Sequence, residues 1–133
     1  MTREIEESAK AFLLNRFLHS RYRFENKAIG DVGFDLWLIE TGNLPKKVEL
    51  KATENIYHRP SNLFEGLVFN AEIEKVLFES GESVIARVFL GSDPIRVFIM
   101  TNSILSLGAT LRREARYVIR GDINYDDSHF EIK

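Results

Sequence analysis

The sequence predicts a mixed α/β (α+β) domain: a central mixed sheet flanked by helices, in the order α-β-β-α-β-β-(short α)-β. Three observations predict it. Two stretches carry the 3.6-residue apolar period of a helix. Several short runs rich in β-branched and aromatic residues lie between Gly, Pro and Asn turn signals. The length, 133 residues, suits one domain. Residues 1–133 therefore read as a single domain, with the acidic end, about 122–133, as a solvated tail.

The first helix is expected from Thr2 to about His19. Ile5, Ala9, Phe12, Leu13 and Phe17 fall on one face, Leu14 and Leu18 widen it, and Thr2 stands as an N-cap before acidic residues. Ser20 to Lys27 reads as a polar, basic connector. Phe34 to Glu40 is apolar on both sides, as a central strand must be, and Thr41-Gly42-Asn43-Leu44-Pro45 is a turn. Lys46 to Thr53 then alternates, with Val48, Leu50 and Ala52 on one side and Lys47, Glu49, Lys51 and Thr53 on the other. A second helix follows, with Asn70 as its cap, Phe69, Ile73, Val76 and Leu77 as its stripe, and Gly81 as its stop. Val84–Leu90 and Ile95–Thr101 form a hairpin around Gly91-Ser92-Asp93-Pro94. Asn102 to Leu107 is a helical turn or two, and Ala115–Arg120 is the last strand.

Composition narrows the function classes. Eighteen Lys and Arg against twenty Asp and Glu leave a net charge of −2, so no global basic field marks a polyanion binder. The chain has no cysteine, which excludes disulfides, a thiolate nucleophile and Cys-ligated zinc or iron–sulfur centres. No apolar run approaches the roughly 18 residues of a membrane span, and the expectation is a soluble, cytoplasmic protein. His19, His58 and His129 have no metal-ligand spacing. Neither a nucleophile elbow nor a Gly-rich phosphate loop is present.

The informative residues are Asp35, Glu49 and Lys51. Glu49 and Lys51 are two apart on a strand and project from the same side, roughly 7 Å apart. If the Asp35 strand pairs with theirs, Asp35 approaches Glu49 across the ladder. An E-x-K triplet alone is usually a solvated charge pair. An acid at the mouth of a buried strand is different, because it needs a partner. Two convergent carboxylates suit a hard cation such as Mg²⁺ or Mn²⁺, with the Leu50 backbone carbonyl as a third protein ligand. A lysine beside such an ion orients or deprotonates the attacking water, or offsets charge in the transition state.

These residues resemble the PD-(D/E)xK nuclease superfamily, which has the restriction-endonuclease-like fold. Gly33-Phe34-Asp35-Leu36, Val48-Glu49-Leu50-Lys51-Ala52-Thr53 and Asn70-Ala71-Glu72 are closest to the domain at the C-terminus of plant NO VEIN proteins. The likeness runs from about Glu4 to Leu107, with Phe34 where the superfamily's name has proline. It implies metal-dependent phosphodiester hydrolysis, DNA more than RNA, with Asp35 and Glu49 on the metal and Lys51 acting on water. It also implies an acid from the first helix, for which Glu6 is the choice over Glu7. Archaeal Holliday-junction resolvases share the length and core, and a structure-selective nuclease is one alternative. A non-catalytic module of the same fold, binding nucleic acid or protein, is another.

Two basic clusters are candidate phosphate contacts: Arg16, Arg21, Arg23 and Lys27, and later Arg112, Arg113, Arg116 and Arg120. Tyr22 and Phe24 are candidates for stacking on bases, whereas Trp37 reads as core. Thr53 and Asn70 join Arg21, Arg23 and Lys27 as nucleic-acid-facing positions. With no room for a specificity domain, a homodimer or a targeting partner is expected, and no membrane.

Overall fold

The computed structural model describes residues 3–113, 116–121 and 130–132. In chain order the elements are α1 (Arg3–Asn15), β1 (Tyr22–Asn26), β2 (Leu36–Glu40), β3 (Lys46–Thr53), a 3₁₀ turn (Pro60–Phe64), β4 (Val68–Phe69), α2 (Glu72–Ser80), β5 (Ser83–Phe89), β6 (Arg96–Met100), a second 3₁₀ turn (Asn102–Leu105), β7 (Thr110–Arg113), β8 (Tyr117–Arg120) and β9 (Glu131–Ile132). The main sheet has the order β1-β2-β3-β5-β6-β9, and β4-β8-β7 form a small second sheet. Among the described residues only the β3–β5 pair is parallel; the crossover between them carries α2.

Period-2 alternation divides the main sheet between two cores. Leu36, Leu38, Val48, Leu50, Val84, Ala86 and Val88 meet Ala9 and Leu13 of α1 on one side. Ile85, Phe89, Phe98 and Met100 meet Phe78 of α2, Phe69 and Ile119 on the other. Strand β5, covered on both sides, is buried from Ser83 to Phe89. The expected mixed α/β class is therefore observed, but the strand order is richer than expected.

Several expectations need correction. The basic connector is in fact strand β1, antiparallel to β2. It is an edge strand that buries only Phe24, and its charged outward residues mask the period. Phe24 belongs to the α1-side core, so it is no base-stacking platform, and Trp37 is only half-buried. Helix α1 stops at Asn15, which leaves Leu18 91% exposed, off the stripe. Helix α2 begins at Glu72, one residue later than an Asn70 cap implies. Its N-cap is Ala71, Ile73 and Val76 are exposed, and the buried residues are Leu77 and Phe78. Asn70 is thus not the cap. Gly81 ends the helix in the left-handed region, as expected.

The acidic end is not wholly a tail. Phe130 is buried, and β9 pairs with β6, tied by the Arg96–Glu131 ion pair. Residues 122–129, Thr2, Glu114 and Ala115 lie outside the described residues. Among the described residues, no helix is long and apolar enough to cross a membrane.

Candidate metal and phosphate site

The site forms where β2 parts from β3. Gly33, at φ +87°, turns the chain into Phe34, and a Cβ there would press to 3.1 Å from Ile73 Cγ1 of α2. Leu36 pairs with Val48, and the Asp35 N–H donates to the Val48 carbonyl at 2.7 Å, which carries the register one residue beyond β2. Asp35 therefore stands just past the last β2–β3 pair, near enough to Glu49 for its charge to act on that carboxyl. Where the next β2 peptide would have continued the ladder, the Asp35 carboxylate substitutes: its Oδ2 accepts the Leu50 N–H at 2.8 Å. The N–H and C=O of a strand residue point to the same edge, so the Leu50 carbonyl also faces the split.

Glu49 and Lys51 point to the α2 side of β3, across from Ile85 and Arg87 of β5. Each is only 6% exposed, and Lys51 Nζ lies 3.2 Å from Glu49 Oε1. Burial pushes the Glu49 carboxyl up from 4.5 to about 8. The charges of Asp35 and Glu74 push the same way, against the nearby Lys51 ammonium. Glu74 is held in place because its carboxylate accepts the Asn70 N–H at 3.1 Å. Among the described residues, no three His, Asp or Glu side chains form a ready-made metal cluster. The donors at the split are two carboxylates and a backbone carbonyl, and this all-oxygen set fits a hard divalent cation.

Two small clefts open beside these residues. One, ≈ 310 Å³, is lined by Lys51, Arg87, Asn70 and Arg116. The other, ≈ 180 Å³, is lined by Asp35, Leu50 and the α1 residues Arg3 and Lys10. Glu6 lines both. Glu7 lines the second and is paired to Arg3 at 3.0 Å. A larger cleft, ≈ 740 Å³, lies between the end of α1 and the β5–β6 turn; of the expected phosphate contacts Arg16 lines it, and Asp35, Glu49 and Lys51 do not.

The remaining candidates divide. Lys27 is close, with its Nζ donating to the Phe34 carbonyl at 2.7 Å. Arg23 pairs with Ile39, four residues along β2 from Asp35, or about 13 Å at ~3.3 Å per residue. Arg21 is further still. Each has its own carboxylate, Arg21 with Glu40 at 2.8 Å and Arg23 with Glu25 at 2.9 Å. Thr53 lies four residues beyond Glu49 and accepts the Asn55 N–H. Asn70 does reach the Lys51 cleft. Two residues escaped the sequence reading, Glu74 and Arg87. The signal for Arg87 was the one that marked Asp35: a charge set in a buried strand. No known family, curated protein or solved structure matches the chain, and the chemistry of the site is read from its own geometry.

Proposed function

We propose that this chain is a divalent-metal-dependent phosphodiesterase of the restriction-endonuclease-like fold, acting on nucleic acid and on DNA in preference to RNA. The observation that carries the reading is the split between β2 and β3. It brings the Asp35 carboxylate onto the Leu50 N–H, within electrostatic reach of Glu49, and holds Lys51 3.2 Å from Glu49. Asp35, Glu49 and the Leu50 carbonyl would hold Mg²⁺ or Mn²⁺, with Glu6 available from α1. When bound, the ion supplies positive charge to a phosphoryl oxygen and lowers the cost of forming hydroxide from water. Lys51 orients that water and offsets charge building on the phosphoryl oxygens. The Asp35 hydrogen bond to the Leu50 N–H fixes the spacing of the two strands. Burial around Glu49 and Lys51 excludes bulk water and strengthens each of these interactions.

The test is cleavage of single-stranded, duplex and branched DNA with Mg²⁺ or Mn²⁺, beside Lys51→Ala. Loss of the Lys51 amine is expected to slow cleavage by at least about 100-fold. Equal activity in the variant would overturn the role of Lys51. Retained nucleic-acid binding with no cleavage of any substrate would make the domain a binding module, its Glu49–Lys51 pair purely structural.

A further inference from the structure

Lys51 and Arg87 are cross-strand neighbours on β3 and β5. Arg87 is only 4% exposed and Lys51 6%. Two cations side by side repel, and a buried cation without a counter-charge is costly. The carboxylate nearest to Lys51 is Glu49. It takes the Lys51 ammonium, 3.2 Å away.

Arg87 is also incompletely bonded. Its Nη2 donates to the Glu65 carbonyl at 2.6 Å, and its guanidinium lies 5.3 Å from the Phe89 ring centroid. Its Nε, fully buried, has no hydrogen-bond partner among the described residues. The Glu65 carboxylate is engaged elsewhere, accepting the Asn62 amide at 2.7 Å. Arg87 lines the ≈ 310 Å³ cleft together with Lys51, Asn70 and Arg116. That cleft therefore has three cations, the Asn70 amide and the Glu6 carboxylate along its walls, and Arg87 carries a buried Nε without a partner.

We propose that the cleft beside Lys51 is a phosphate subsite, in which the buried Arg87 guanidinium, assisted by Arg116 and Asn70, binds the oxygens of a substrate phosphate group. The planar fork of an arginine offers two donors matched to two phosphate oxygens. A phosphate oxyanion sets negative charge against the buried Arg87 guanidinium, whose hydrogen bond goes to a neutral carbonyl. The proposal rests on the reading above in taking the phosphate to be a substrate's; the anion-binding chemistry stands without any metal.

Inorganic phosphate, titrated into the metal-free protein in EDTA and followed by calorimetry, tests it. Wild type is expected to bind in the millimolar range. Arg87→Lys and Arg116→Ala should each bind at least about tenfold more weakly, the loss of one charge-assisted hydrogen bond. Lys46→Ala, at the far end of β3, serves as the control and should bind like wild type. Circular dichroism verifies folding; if Arg87→Lys does not fold, Arg116→Ala, at an exposed position, carries the test. No binding by wild type, or equal binding by the folded variants, overturns the subsite and leaves Arg87 a strut to Glu65. Displacement of phosphate by a short oligodeoxynucleotide assigns the group to a nucleic-acid diester. Binding without displacement assigns a free phosphate and overturns the link to substrate. Phosphate binding without metal-dependent cleavage would keep the subsite and sink the hydrolase, whereas cleavage without phosphate binding would do the reverse.

Discussion

Replacing Glu49 with Gln isolates the most unusual electrostatic feature of the site. In the fold this carboxyl titrates at about 8 instead of 4.5, chiefly because burial removes its hydration. A carboxyl raised in this way keeps its proton in the folded state over a pH range where the unfolded chain has lost it. The folded state then binds more protons than the unfolded one, so stability is highest below the unfolded pKa and falls as pH rises toward 8. The slope is about 1.4 kcal/mol per pH unit, and the whole span at most about 5 kcal/mol. Glutamine keeps the shape and cannot ionise. Urea unfolding in EDTA, from pH 5.5 to 8.5, should therefore show the stability of Glu49→Gln relative to wild type rising steadily with pH and levelling near pH 8. Taking the difference removes the other titrating groups, which both proteins share. Mn²⁺ should stabilise wild type progressively more as pH rises, since the ion binds the carboxylate and competes with its proton. Parallel pH curves for the two proteins would refute the reasoning, because they would mean that Glu49 is ionised in the fold at neutral pH.

Two further predictions concern the frame that carries the site. A Cβ on Gly91 would clash with the Glu54 carbonyl oxygen and come within 2.9 Å of the Asn55 carbonyl carbon, so Gly91→Ala should cost about 2 kcal/mol or more in thermal unfolding. Glu131 accepts the Arg96 Nε at 2.7 Å and is half-buried on β9. Glu131→Gln should therefore lower stability by about 1 kcal/mol and speed proteolysis at the C-terminal end.

What was legible in the sequence was local. Asp35, Glu49 and Lys51 could be related because a hairpin joins their strands and side chains two apart share a side. Gly81 stops α2 through its own backbone freedom. Strand β1 was hidden because an edge strand needs only one buried residue, Phe24, and charges on its open side look like a loop. The start of α2 shifted because Ala71, not Asn70, stands at the cap, while Glu74 reaches back to accept the Asn70 N–H. Strand β9 was invisible for a different reason: its pairing with β6 spans more than thirty residues, and no local period announces such a contact. Arg87 was overlooked inside an apolar run, and only the parallel register of β3 and β5 shows that it faces Lys51. Arg21 and Arg23 show the opposite error, since closeness in sequence put them near Asp35 while antiparallel pairing carried them to the far end of β2.

The central claim is that Asp35, Glu49 and the Leu50 carbonyl share one divalent cation beside Lys51. Anomalous diffraction from crystals soaked in Mn²⁺ tests it most directly, with Asp35→Asn as the comparison, since its amide oxygen can still accept the Leu50 N–H. The account predicts one strong peak among those three oxygen donors at about 2.0–2.2 Å, lost in Asp35→Asn. A peak elsewhere in the molecule, or one that survives unchanged in Asp35→Asn, would contradict it.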